Sequence, residues 1–155
     1  MRSSSSSAPE GAFGRFVSRG LVALRAELPW AYRRMADALA GRDVLLTVSG
    51  EDVPITSTDG VVTAHPAPPE RFAPRVTLRT ERAVVARLAD AELTVVDAVV
   101  SGAVTLRGDV DDLVSFHEGL MAFLHGAVRS PSFPALLDEF RGRVGPTSPC
   151  GATHA

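Results

Sequence analysis

The strongest constraint on the fold lies in the first half of the chain, where three short β-branched and aliphatic runs are separated by two turn signals. The runs cover Val44 to Ser49, Asp52 to Thr58 and Val61 to Ala64. Gly50-Glu51 and Asp59-Gly60 lie between them. Asp-Gly is a strong hairpin signal, because the central residues of a tight hairpin turn need positive φ. The stretch predicts an antiparallel meander of three strands.

Two segments before the meander have the spacing of amphipathic helices. Gly11 to Leu28 repeats apolar residues every three or four positions, and Trp30 to Ala40 does the same. Pro29 lies between them, and proline is well suited to a first helical turn. Gly41 then suits the end of the second helix.

The remaining chain alternates between the two periodicities. A proline-rich crossover comes first, and the predicted elements after it are a strand at 75–79, a helix at 81–89, a short turn through Val100 that Thr94 can cap, a strand at 103–107, a helix at 110–128, and a last helix to Arg141 that Ser132 can cap. The order α-β-β-β-crossover-β-α-β-α-α predicts an α/β (α+β) fold. In that fold helices cover one face of a five-stranded, mostly antiparallel sheet.

The chain of 155 residues suits one domain. We expect a disordered lead-in at 1–10, a single domain at 11–142 and a loose tail at 143–155.

The run S-G-A-V-T-L-R-G-D-V-D-D-L at 101–113 predicts a helix end, a strand and a helix start. Gly102 suits the left-handed end of a short helical turn, and Val104 and Leu106 share one face of the strand. Asp109 is expected to cap the following helix with its carboxylate. A calcium loop is excluded, because it lacks its central glycine and has Leu120 where a bidentate Glu is required.

Composition excludes several classes of partner. The net charge of −2, with 45% hydrophobic and 22% charged residues, gives no basic field for nucleic acid. No apolar run approaches the roughly 20 residues of a membrane helix. The lone Cys150 has no partner for an internal disulfide, so a reducing cytoplasm is expected. We expect no cofactor and no metal.

Two longer runs resemble a known family. They are V-T-L-R-T-E-R-A-V-V-A-R-L at 76–88 and A-V-V-S-G-A-V-T-L-R-G-D-V-D-D-L at 98–113. Together they resemble the sterol carrier protein type 2 (non-specific lipid-transfer) family, as a bacterial stand-alone domain, over roughly Val44 to Leu124. The resemblance implies a sheet roofed by helices around an apolar tunnel that holds lipids or other hydrophobic ligands.

The tunnel would be lined by the apolar stripes of the last two helices together with one face of the sheet. The candidate ligand-binding residues are Val104, Leu106, Leu113, Phe116, His117, Leu120, Met121, Phe123, Leu124, Phe133, Leu136, Leu137 and Phe140. For any single residue the periodicity favours ordinary core packing, whereas the resemblance favours a cavity lining. The last helix, joined through Pro131, is a candidate lid over the tunnel.

His117 is the one candidate for chemistry, since its helical position is near the centre of the apolar stripe. It is either a core histidine with satisfied nitrogens, or a polar group that orients a ligand or acts as an acid or base. His125 is eight residues away and rotated off that position, so the two cannot share a metal.

Three functions remain open. The first is binding, with or without transfer, of a lipid, sterol-like or other hydrophobic small molecule. The second is a small tailoring enzyme of the cyclase or isomerase type, which would use His117 on a polyketide- or terpenoid-like substrate. The third is an accessory lipid-binding subunit of a lipid- or quinone-pathway enzyme. The expected partners are a hydrophobic ligand and an enzyme subunit, with no nucleic acid and at most transient membrane contact.

Overall fold

A computed structural model describes residues 11–144 of the chain. Its elements are α1 (Ala12–Glu27), α2 (Pro29–Ala38), β1 (Asp43–Val48), β2 (Glu51–Thr58), β3 (Val61–Ala64), β4 (Pro74–Thr80), α3 (Arg82–Ala89), α4 (Val95–Val100), β5 (Thr105–Gly108), α5 (Val110–Arg129) and α6 (Phe133–Val144). The predicted element order and α+β class are confirmed. The last helix extends beyond its predicted end at Arg141. The predicted lead-in at 1–10, and the tail beyond residue 144, lie outside the described residues.

The strands form one sheet in the order β3-β2-β1-β4-β5. The only parallel pair among these strands is β1 with β4, and the other three pairs are antiparallel. Both hairpin turns have two consecutive residues with positive φ, which matches the right-handed twist of the flanking strands. These residues are Asp59 and Gly60 in the second turn, but Ser49 and Gly50 in the first. The first turn is therefore one residue earlier than predicted.

The N-terminus of α1 is fixed to the sheet by Glu51, the first residue of β2. The Glu51 carboxylate accepts hydrogen bonds from the backbone N–H groups of Phe13 at 3.0 Å and Gly14 at 2.8 Å. A carboxylate there satisfies free amide groups and also suits the positive end of the helix dipole. This contact sets where α1 starts across the sheet.

Helix α5 packs closely on α2 through small residues. A Cβ at Gly119 would lie 2.9 Å from Leu39 Cγ, and one at Gly126 would lie 2.3 Å from Leu24 Cδ1. No side chain could occupy either position without moving its neighbour. The two glycines thus mark the face of α5 that contacts the first two helices.

The start of α5 differs from the prediction in one respect. Asp109 is the N-cap residue, but its side chain makes no capping hydrogen bond. Asp112 in the first turn is buried, and its carboxylate pairs with Arg42 at 3.0 Å and Arg75 at 3.8 Å. Asp112 therefore ties α5 to the loop before β1 and to β4.

Candidate functional site

An apolar cavity of about 560 Å³ lies between the sheet and the helices. This volume is in the range of roughly 300–1,000 Å³ that small-molecule sites occupy. Close-packed protein interiors contain few voids larger than a water molecule. The cavity is therefore a product of how the helices are set over the sheet, rather than a packing defect.

One face of the sheet forms the floor of the cavity. Leu46 and Val48, two positions apart on β1, both line it, as the alternation of side chains along a strand requires. In the parallel register, Leu78 lies beside Leu46 and Thr80 beside Val48. The Thr80 hydroxyl donates to the Ala103 carbonyl at 2.9 Å, so this polar group is already satisfied.

The walls and roof are helical. Helix α5 contributes Phe116, Leu120, Phe123 and Leu124, and α6 contributes Phe133 and Leu137. Phe123 and Phe133 meet edge to face, with ring centroids 5.5 Å apart and planes at 80°. This geometry is favourable for aromatic pairs and joins α5 to α6 at the cavity wall.

Three charged residues border the cavity, and we call the rim that they form the mouth. Among the described residues that line the cavity, Asp90, Asp138 and Arg141 are the only charged ones. The guanidinium of Arg141 forms an ion pair with the carboxylate of Asp90, which links α6 to the residue that follows α3. Asp138 lies about one turn before Arg141 on α6 and is exposed. The cavity is thus apolar inside and charged at one end.

The connection between α5 and α6 is anchored to the end of α1. The hydroxyls of Ser130 and Ser132 both donate to the carboxylate of Glu27. The backbone N–H of Ser132 adds a third hydrogen bond, at 3.2 Å. The hydrogen bonds from Ser130 and Ser132 lower the pKa of the Glu27 carboxyl, because they stabilise its ionised form.

In residues 11–144, no three His, Cys, Asp or Glu side chains gather closely enough to hold a metal ion. Within the same range, none of the helices has the length and apolar character needed to cross a bilayer.

Solved structures share this fold. The UbiJ-SCP2 ubiquinone synthesis protein superposes with a TM-score of 0.53 at 17% identity, covering 79% of this chain and 99% of that one. A possible sterol carrier protein from Thermus thermophilus gives 0.53 at 18% identity, covering 85% and 99%. A sterol carrier protein 2 crystal structure gives 0.51 at 16% identity, covering 74% and 98%.

The fold is that of sterol carrier protein 2. At these identities the likeness concerns the fold alone. Neither a protein-family model nor a curated protein matches the sequence.

Seven of the predicted site residues line the cavity of this sterol carrier protein 2 fold. They are Val104, Phe116, Leu120, Phe123, Leu124, Phe133 and Leu137. The structure therefore brings the centre of α5, the start of α6 and the residue before β5 to one space. That this space is a tunnel stays a prediction.

Six predicted site residues are not part of the lining. They are Leu106, Leu113, His117, Met121, Leu136 and Phe140. Leu106 and Leu113 pack, partly buried, against the core instead. Leu136 and Phe140 face α1, where they line a depression of about 10 Å³, which is room for one water molecule.

His117 is exposed, so its predicted place near the centre of a buried stripe is wrong. The prediction centred the buried face of α5 on its large apolar residues. Gly119 and Gly126 instead contact the first two helices, which turns the buried face toward them. His117 and Met121 therefore lie outside the face of α5 that lines the cavity, as do the exposed Val110 and Val114.

Sequence reasoning expected one face of the sheet in the lining but named no residue of the central strands, and it missed the contributions of α1 and α3. The missed residues include Phe13, Phe16, Val17 and Leu21 of α1, Val85 and Leu88 of α3, and Leu46 and Leu78 of the floor. The apolar stripe of α1 was visible in the sequence. Its position over the cavity depends on the contact of Glu51 with Phe13 and Gly14, which precede Glu51 by 38 and 37 positions in the chain.

Proposed function

We propose that this protein binds an apolar small molecule of the lipid class in the cavity. The observation that carries the proposal is a cavity of about 560 Å³, partly open to solvent, whose lining is almost entirely aliphatic and aromatic. Burying apolar surface stabilises a complex by roughly 25 cal/mol per Å², so such a site needs few polar contacts to hold a ligand. The sterol carrier protein 2 fold supports the same conclusion.

We favour the form of this function in which the protein acts in the cytoplasm and carries the ligand between partners. A second candidate is an accessory subunit that presents a lipid to an enzyme. Its support is the fold likeness to a protein of ubiquinone synthesis. Retention of an enzyme of lipid or quinone metabolism on the purified protein would favour the second form over the first.

The alternative function, a tailoring enzyme of the cyclase or isomerase type, is left without a candidate base. General acid–base catalysis needs the group within hydrogen-bond reach of the substrate, and exposed His117 does not line the cavity. Nothing in the described lining favours that reading over binding.

Filling the cavity tests the proposal. Leu120→Trp places a larger side chain in the cavity, whereas Val114→Trp makes a similar change on the same helix at an exposed position. With N-phenyl-naphthylamine as a fluorescent apolar probe, we expect Leu120→Trp to weaken binding roughly tenfold or more, about 1.4 kcal/mol or more. Val114→Trp should bind like the wild type.

Circular dichroism of both variants establishes that the fold is intact. Equal affinity in wild type and a folded Leu120→Trp variant would show that the probe binds elsewhere. No binding of the probe or of extracted lipid by the wild type would overturn the proposal.

A further inference from the structure

The charges at the mouth bear on which apolar molecules the cavity accepts. Asp90 and Asp138 carry two negative charges there, and Arg141 carries one positive charge. The ion pair between Arg141 and Asp90 commits the cation to one of the two carboxylates. Arg141 thus offsets only one of the two carboxylates, and the formal charges of the three residues at the mouth sum to −1.

No other charge in the described lining offsets this excess. Arg87 and Glu92 flank Asp90 in the sequence, but neither lines the cavity, and their charges cancel. Arg19 is paired with Glu139 at 2.6 Å on the side of α6 that faces α1. The floor offers a polar head group little, because Thr80 has the one hydroxyl in the described lining and its proton is already donated to the Ala103 carbonyl.

We therefore expect an amphiphile in this cavity to place its polar end at the mouth, where the charged groups lie. A carboxylate there would meet the Asp138 and Asp90 charges, and the attraction of Arg141 is already shared with Asp90. A hydroxyl or other neutral donor instead finds free carboxylate oxygens to accept its hydrogen bond. Like-charge contact at a binding site is a recognised means of rejecting a wrong ligand.

We infer that the cavity selects apolar molecules whose polar end is neutral and donates a hydrogen bond, and that Asp138 and Asp90 reject the corresponding carboxylates. The inference rests on the proposed function, since it assumes that ligands bind in the cavity. It adds the chemical class of the head group and the residues that determine it.

Retinol and retinoate test it, because they share an apolar body and differ in the terminal group. Each is measured by displacement of N-phenyl-naphthylamine from the full chain near neutral pH. We expect retinol to bind roughly tenfold or more tightly than retinoate. Asp138→Asn should reduce this ratio several-fold, mainly by tightening retinoate binding, and Arg141→Gln should increase it.

Glu139→Gln is the matched control, because it removes the same charge from the same helix at a residue outside the cavity lining. Its ratio should equal that of the wild type. The inference fails if retinoate binds as tightly as retinol in the wild type, or if Asp138→Asn and Glu139→Gln give the same ratio. In both cases the probe still binds, and the proposed function stands. If the probe itself does not bind, the proposed function fails and the inference fails with it.

Discussion

Phe16 and Phe140 stack with their ring centroids 5.1 Å apart and their planes inclined by 29°. Phe140 also meets Phe13 edge to face at 6.2 Å, and it is 2% exposed. Helix α6 is therefore part of the core on its α1 side while it lines the cavity on the other. A lid that moved as a whole would expose this aromatic cluster. Deletion of α6 should accordingly lower stability as well as binding, contrary to the simple lid hypothesis.

Phe140→Ala should destabilise the fold by about 3–5 kcal/mol, since it removes a fully buried ring and leaves a cavity between α1 and α6. The free energy of unfolding from urea denaturation measures the change. Val22→Ala is the control, because Val22 on α1 is 71% exposed and its truncation should cost no more than about 0.5 kcal/mol. A loss at Phe140 as small as that at Val22 would contradict the placement of α6.

Gly126→Ala and Gly142→Ala should change stability in opposite directions. A Cβ at Gly126 meets Leu24 at 2.3 Å and Ala31 at 3.0 Å, both in the buried core, so we expect a loss of about 1–3 kcal/mol. A Cβ at Gly142 meets nothing within 4 Å, so the higher helix propensity of alanine should raise stability by up to about 1 kcal/mol. Thermal unfolding of both variants provides the measurement. A neutral Gly126→Ala variant would contradict the close packing of α5 against α1 and α2.

The anchor at Glu27 should make stability depend on acid pH. Its pKa is lowered in the folded state by the hydrogen bonds from Ser130 and Ser132. The stabilisation is therefore fully present above the unfolded pKa, about 4.3, and is lost as the pH falls through the lowered folded pKa. Glu27→Gln lacks the titrating group, so the difference in Tm between wild type and variant should shrink below about pH 4.3. The same difference at neutral and acid pH would rule out this linkage.

His117→Ala should leave both stability and probe binding almost unchanged, since the imidazole is exposed and outside the cavity. We expect a stability change within about 0.5 kcal/mol and no more than a twofold change in probe affinity. Fluorescence titration and urea denaturation check the two expectations. A large loss of probe affinity would mean that His117 contacts the ligand after all.

Local patterns were enough to predict most elements. The β-branched runs with Asp59-Gly60 between them specify a hairpin, because the turn requires positive φ at two positions and glycine adopts it without strain. Thr94 caps the short helix α4 by accepting from the Asp97 N–H at 3.0 Å, a contact that spans three residues. Such signals depend only on neighbours in the chain.

The sequence by itself thus determined the element order, the α+β class and the apolar stripes of α5 and α6. The tertiary structure decided which side of each stripe faces the cavity. Gly119 and Gly126 allow close contact with α2 and α1, and that contact sets the rotation of α5 and leaves His117 in solvent. The tertiary structure also brings Asp90, Asp138 and Arg141 together at the mouth, from two helical regions about 50 residues apart in the chain. No local periodicity encodes these juxtapositions, because they depend on how whole helices pack over the sheet.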